Sequence, residues 1–332
     1  MLPFVSAGIF TGKLPRSHRI KLLVSARLGM DSNTEIRQVL NRQKVVLAVL
    51  EIAGRSLSSI ELVKLMFLLR QETVVGREAA FYDFVPYRYG PFSFAFYQEL
   101  AALRRDGYVS DEHPQISLCN ATRRDWQTKI ADLPKEWVRA IREGVVRRGA
   151  LSQDELLRDV YARYPWFATK SELLHLKPRA SHSATKTEIA VYTVGYEGKS
   201  VDQFFNGLLE SRIESIIDVR ANPISRKYGF AKRSMSEIAR KLGIGYYHLP
   251  ELGIASSERA DLSDFDSYQR LLDRYETEML PGRRETIDIA VGHLQERPSA
   301  LLCMEKDVRC CHRGRLAKAV ASRNGRAIVH LP

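Results

Sequence analysis

The sequence predicts an α/β fold: a C-terminal, mostly parallel sheet with helices on both faces, preceded by a mainly α domain. Three observations predict it. From residue 189 onward, short β-branched runs alternate with amphipathic stretches, the pattern of parallel strands joined by helices. Residues 40–175 instead carry apolar residues at helical spacing around a single hairpin signal. Between the two, residues 176–188 hold Lys177-Pro178-Arg179 and a mixture of Ala, Ser, Thr and Lys with no apolar period, which reads as a linker.

Size and charge set the frame. A chain of 332 residues can bury two cores, and 45% hydrophobic with 27% charged residues is ordinary globular composition. The sequence has no apolar run of the length a membrane span needs, so no membrane partner is expected. Four cysteines, two of them adjacent, do not make a disulfide framework; reduced thiols in a cytoplasmic protein are the reading. A formal charge of +12 calls for an anionic partner, most simply nucleic acid and DNA in particular. Part of that excess (Lys13, Arg16, Arg19, Lys21 and Arg27) lies in a leader without acids, broken by Pro3 and Pro15. Residues 1–39 are therefore expected to be a basic, disordered arm, or a stretch translated upstream of a true start at Met30.

The helical pattern opens at Gln43 and stops at Gly54. Ser58 or Ser59 caps the next helix, where Leu62, Leu65, Met66 and Leu69 share one face. Gly90-Pro91 marks a turn, and Ser93 caps a third helix carrying Phe96, Leu100 and Leu103 as far as Asp106-Gly107. Tyr108-Val109 and Ile116–Leu118 then form a hairpin. Helix, helix, helix, hairpin is the element order of a winged helix. Two more helices follow, one opened by Leu133-Pro134 and one from Leu151 to Tyr164. Nine aromatics crowd into residues 81–97; they read mainly as core, with Arg88 among them as a candidate nucleic-acid contact.

In the second domain, residues 189–332, strands are expected at Ile189–Val194, Ser215–Arg220, Tyr246–Pro250, Ala300–Cys303 and Ala327–Leu331. Helices fall at Val201–Leu209, from Ser234 or Ser236 to Lys241, at Phe265–Met279, Glu285–Leu294 and Arg315–Ser322. The arrangement is Rossmann-like, and ligands of such sheets bind beyond the carboxyl ends of the strands.

That edge collects the candidate chemistry. Tyr196, Asp218, Arg220, His248, Cys303 and Glu305 all end strands, and Cys311-His312-Arg313 opens a helix. Asp218 and Glu305 are read as a pair of catalytic carboxylates suited to glycosidic or phosphoester hydrolysis, with His312 as the third catalytic residue. Arg220 and Arg313 are assigned to phosphate, and Tyr196, Ser225, Cys303 and Cys311 to substrate binding. Cys311 is also open to reading as a nucleophile or as a small buried apolar residue. The loop bearing Arg226, Lys227 and Tyr228 suits backbone contact and base stacking. No metal site is assigned. Cys303, Cys310, Cys311 and His312 come nearest to a zinc set, but adjacent ligands chelate poorly and no Cys-x-x-Cys spacing occurs.

The ordered set Thr193-Val194-Gly195-Tyr196, Asp218-Val219-Arg220 with Pro223 and Ser225, Leu252-Gly253, Cys303-Met304-Glu305 and Cys311-His312-Arg313 before Leu316-Ala317 resembles the family named domain of unknown function 488. The resemblance covers residues 190–331 and implies a nucleic-acid or nucleotide substrate. Family members often carry a second glycine after the Leu-Gly pair; here Ile254 stands in its place. Residues 40–175, through Tyr89-Gly90-Pro91-Phe92-Ser93, resemble winged-helix proteins of the antitoxin or phage-associated kind.

The expected activity is hydrolysis on nucleic acid, first of all N-glycosidic cleavage of a modified or flipped base, in prokaryotic anti-phage defence. It needs no cofactor. The alternatives are a nuclease, which would need Mg²⁺, and a non-catalytic nucleotide-sensing, DNA-binding regulator. A homodimer is left open.

Overall fold

The computed structural model describes residues 38–112, 115–176, 188–259 and 264–332. Residues 1–37 of the expected basic arm and residues 177–187 of the linker lie outside them. Helix α1 (Asn41–Ala53) ends at Gly54, whose φ of 63° supplies the left-handed turn that closes it. A two-residue strand β1 (Leu57–Ser58) leads into α2 (Ser59–Glu72), where the Ser58 hydroxyl accepts from Glu61 N and the Glu61 carboxylate from Ser58 N. A short hairpin, β2 (Val85–Tyr87) and β3 (Gly90–Phe92), precedes α3 (Phe94–Arg105), capped by Ser93. Strands β4 (Val109–Glu112) and β5 (Gln115–Leu118) form the expected hairpin, and β1 extends it in the order β1-β5-β4. Helices α4 (Arg123–Ala131), α5 (Lys135–Arg148), α6 (Gln153–Arg163) and α7 (Pro165–Ala168) complete this half.

The second half is a five-stranded, wholly parallel sheet. Its elements are β6 (Val191–Gly195), α8 (Val201–Glu210), β7 (Ser215–Asp218), α9 (Lys232–Leu242), β8 (Gly245–His248), α10 (Phe265–Arg274), α11 (Arg284–Glu296), β9 (Ser299–Cys303), α12 (His312–Asn324) and β10 (Ile328–His330). The strand order is β10-β6-β9-β7-β8, so β9, late in the chain, inserts between β6 and β7. Helix α9 starts earlier than its serines suggest. Ala231 occupies the cap position, and Ser234 and Ser236 bond back to carbonyls within the first turn instead.

Period-two alternation divides the sheet residues between two cores. Val194, Ile216, Ala300 and Leu302 pack against Phe204, Phe205 and Leu208 of α8 and Met235 and Ile238 of α9. Val191, Ile217 and Leu301 pack against Leu271 and Leu272 of α10, Ile287 and Leu294 of α11, and Leu316 and Val320 of α12. Helices thus cover both faces, as expected. The first core also takes in Val85 and Phe94, and residues 40–332 form one compact unit. Among the described residues, no helix is long and apolar enough to cross a membrane.

The junction between the halves is specific. Asp202, in the first turn of α8, is completely buried and faces the start of α3. Its carboxylate accepts from Phe94 N at 2.6 Å, Ala95 N at 3.0 Å and Ser93 Oγ at 2.9 Å. The two amides are donors that a helix start leaves without intrahelical partners.

Candidate functional site

The carboxyl ends of β6, β7, β8 and β9 do converge, but strand alternation sorts their side chains into two separate clusters. Asp218 shares the face of Ile216, and Cys303 that of Leu301.

The first cluster is a closed ion-pair knot. Asp218 Oδ1 accepts from Arg220 N at 3.1 Å and Nε at 2.8 Å; Oδ2 accepts from Arg220 Nη2 at 2.6 Å and Tyr246 Oη at 2.5 Å. Arg220 also donates through Nη1 to Tyr196 Oη at 3.1 Å and the Phe230 carbonyl at 2.8 Å, and its Nη2 lies 3.9 Å from Met235 Sδ. The five guanidinium N–H groups therefore have five partners. Arg220 has no donor left for phosphate, and both oxygens of the wholly buried Asp218 are occupied. The roles expected of these two, catalytic carboxylate and phosphate holder, are corrected to a structural pair. Tyr196 is buried against Phe230, with ring centroids 4.3 Å apart, so it too supports the knot and is not free for substrate. Burial raises the Tyr246 hydroxyl, and the neighbouring Asp218 charge raises it further.

The second cluster lies on the face covered by α10, α11 and α12. Cys303 Sγ is 3.0 Å from Glu305 Oε2 and 3.6 Å from His312 Nδ1. Glu305 Oε1 accepts from Arg259 Nη1 at 2.9 Å, and Arg259 Nη2 reaches His312 Nδ1 at 3.3 Å. His312 Nε2 faces the Val219 carbonyl at 3.0 Å, and its ring lies edge-on to Tyr275. A carbonyl only accepts, so Nε2 carries a proton and Nδ1 turns toward the thiols. Donor atoms of Cys303, Cys311 and His312 all lie within 4.8 Å of one another. Cys311 and His312, adjacent in sequence and expected to chelate poorly together, bring their donor atoms to one place beside Cys303. Cys311 is extended (φ −134°, ψ 133°) just before α12, so the chain direction changes between the two residues.

The electrostatics of this cluster are polarised. Burial opposes charge on Cys303, but the Cys311 hydrogen bond, the His312 charge and the Glu305 contact together bring its thiol well below the ordinary range. Burial and the adjacent Cys303 hold the Cys311 thiol well above it. The same surroundings that lower Cys303 raise Cys311, so a Cys311 nucleophile is not what this geometry favours. Burial, then the Cys303 charge, raises the Glu305 carboxyl. His312 is raised too: burial lowers it, and Cys303 more than compensates.

Arg313 is 2% exposed and holds the turn after β9. Its Nη1 donates to the Glu305 carbonyl at 2.5 Å and its Nη2 to the Lys306 carbonyl at 3.0 Å, while Nε is buried without a partner. It positions Glu305 from behind, giving one N–H of each Nη to backbone. Gly195 fits the same turn, since a Cβ there would stand 2.0 Å from the Glu305 carbonyl oxygen.

The remaining candidates stand apart. Ser225 closes its own loop by accepting from Lys227 N at 3.1 Å. Arg226, Lys227 and Tyr228 are exposed, and Arg88 is exposed and paired with Glu172 at 3.4 Å. Two residues of the site escaped the sequence reading. Arg259, in the turn Ser256–Arg259, sits in a segment without periodicity, and Tyr275 looks like any core aromatic of an amphipathic helix.

Beside Cys311 lies an open cavity of about 340 Å³. Phe265, Val308 and Ile328 give it apolar walls, and Arg309, Arg315 and Lys318 border it with positive charge.

Residues 200–320 match the model of a family described only as a domain of unknown function, DUF488. No curated protein and no solved structure matches the chain.

Proposed function

We propose that the protein is a nucleic-acid-processing hydrolase whose chemistry is carried by Glu305, Cys303, His312 and Arg259. The observation that carries this reading is the juxtaposition of that cluster with the cavity beside Cys311. A carboxyl, a thiol, an imidazole and a guanidinium meet at the carboxyl edge of a parallel sheet, where ligands of such folds bind. The cavity, which meets this cluster through Cys311 alone, is within the size range of small-ligand sites and offers an exposed aromatic, Phe265, and the exposed Lys318, beside Arg309 and Arg315, which are paired with Asp307 and with Asp273 and Glu276. A flipped base with its phosphate suits that lining. N-glycosidic cleavage is the first reading, with Glu305 orienting and activating the attacking water; a metal-dependent nuclease is the second, for which the donor set of Cys303, Cys311 and His312 suits a softer ion than Mg²⁺.

Residues 40–175 are read as a winged-helix-like domain that presents the substrate. The sheet β1-β5-β4 and the order α1-β1-α2-β2-β3-α3-β4-β5, in which the hairpin β2–β3 is an addition to the simple pattern, support this. Such modules commonly read bases with the start of the third helix. Here Asp202 occupies the start of α3, so that helix serves as the dock to the second half, and nucleic acid is held by its backbone. Exposed Arg88, Arg226, Lys227 and Tyr228 are assigned to that contact.

The test is incubation of the full chain with plain and modified DNA, single- and double-stranded, followed by identification of the product. Abasic sites support glycosidic cleavage, and strand breaks with defined phosphate ends support the nuclease. Glu305→Gln should abolish either. Absence of any product across the panel, with DNA binding that depends on added nucleotide, would overturn the hydrolase and favour a sensor.

A further inference from the structure

We infer that Cys303, Cys311 and His312 form a binding site for one zinc ion. Two sulfurs and one imidazole nitrogen, all buried, lie within 4.8 Å of each other. Zinc bonds of about 2.3 Å to sulfur and about 2.0–2.1 Å to nitrogen, at a tetrahedral angle, place those two donors about 3.6 Å apart. Cys303 Sγ and His312 Nδ1 are 3.6 Å apart. One edge of the coordination tetrahedron is thus already drawn.

The outer contacts agree. A metal-binding histidine ordinarily donates its other N–H to a carbonyl or carboxylate, which fixes the ring and aims the free lone pair. His312 donates Nε2–H to Val219 O at 3.0 Å and turns Nδ1 to the sulfurs. Charge balances as well: two thiolates neutralise a divalent ion, so the loaded site buries no net charge. Thiolate and imidazole donors select zinc over magnesium, which takes oxygen ligands. A fourth ligand would enter past Glu305 and Arg259, the two more exposed members of the cluster, which touch Cys303 and His312. To admit the ion, Arg259 must release His312 Nδ1; its guanidinium is part-exposed and also tied to Glu305, so it has somewhere to stay.

On the hydrolase reading, on which this part alone rests, zinc would hold the attacking water at the fourth position. Glu305, two residues past a ligand and adjacent to it, would handle the proton. Zinc deaminases use the same division between His/Cys ligands and a non-ligating glutamate.

The experiment is metal analysis of the full-length chain purified under reductant, then removal of metal and reconstitution with Zn²⁺ or Co²⁺ alone. About one zinc per chain is expected, and Co²⁺ should give tetrahedral visible bands with thiolate-to-metal charge transfer in the near ultraviolet. Cys311→Ser and His312→Gln should each weaken binding at least tenfold. Cys310→Ser, altering a thiol outside the cluster, and Glu305→Gln should keep full occupancy. A folded, reduced wild-type chain that takes up no Zn²⁺ and shows no cobalt spectrum overturns the site, as does equal loss from Cys310→Ser and Cys311→Ser. Stoichiometric zinc in a chain that hydrolyses no nucleic acid sinks the functional reading and keeps the site. Hydrolysis by metal-free chain does the reverse for the zinc's catalytic part.

Discussion

Asp218 and Cys303 end neighbouring parallel strands but point to opposite faces of the sheet. Asp218 stands opposite Leu302 in the β7–β9 register, one residue out of phase with Cys303. That single-residue offset sends the Asp218–Arg220 pair into the α8–α9 core and the Cys303–Glu305 pair toward α12. Two conspicuous acidic motifs therefore belong to different surroundings, one in a closed ion pair and one among the thiols and His312.

The structural assignment has a direct consequence. Arg220→Met leaves the buried Asp218 carboxylate without its cation and should cost about 3–5 kcal/mol in urea unfolding. Replacing both, Asp218→Leu with Arg220→Met, should cost less than Arg220→Met alone. A fully stable Asp218→Asn chain that has lost activity would return Asp218 to the chemistry.

Asp202 gives the dock between the halves a pH dependence. Burial pushes its carboxyl up to about 7, against the pull of Ala95 N, Phe94 N and Ser93 Oγ. The folded value exceeds the unfolded one, so the folded chain binds this proton more tightly. Its contribution to stability is complete below about pH 4 and is lost as pH rises through about 7. The stability of wild type relative to Asp202→Asn should fall by up to about 4 kcal/mol across that window and stay level above it. Unfolding curves at several pH values check this, and an advantage that grows with pH would contradict it.

Gly195 is a steric matter. A methyl group there meets the Glu305 carbonyl oxygen at 2.0 Å and Arg313 Nη2 at 3.2 Å, so the turn carrying Glu305 must move. Gly195→Ala should cost about 1–3 kcal/mol and lower activity with it. Gly207, inside α8, has nothing within 4 Å of its added Cβ. Gly207→Ala should instead raise the melting temperature, through a gain of about 0.5–1 kcal/mol.

Glu305→Gln separates chemistry from fold. The amide keeps the shape and can still meet Arg259, so thermal stability should stay within about 1 kcal/mol, while hydrolysis falls at least ~100-fold. Equal activity of Glu305→Gln and wild type, measured on whichever DNA wild type cleaves, would remove Glu305 from the reaction.

The sequence by itself determined the elements and the edge at which polar groups gather. Gly54 and Gly243 end helices because each supplies a left-handed turn, and the short, continuously apolar runs at Ile216 and Leu301 are strands because both of their faces must be covered. Local chemistry decides such features, so they are legible residue by residue. Tertiary structure alone decided which polar groups meet. The insertion of β9 between β6 and β7 sets the phase between Asp218 and Cys303, and a one-residue phase moves a side chain across the sheet. Arg259 reaches Glu305 from 46 residues away, and Asp202 caps a helix 108 residues before it. Spacing along the chain carries no trace of such contacts, because burial and hydrogen-bond satisfaction are settled only when both partners are in place.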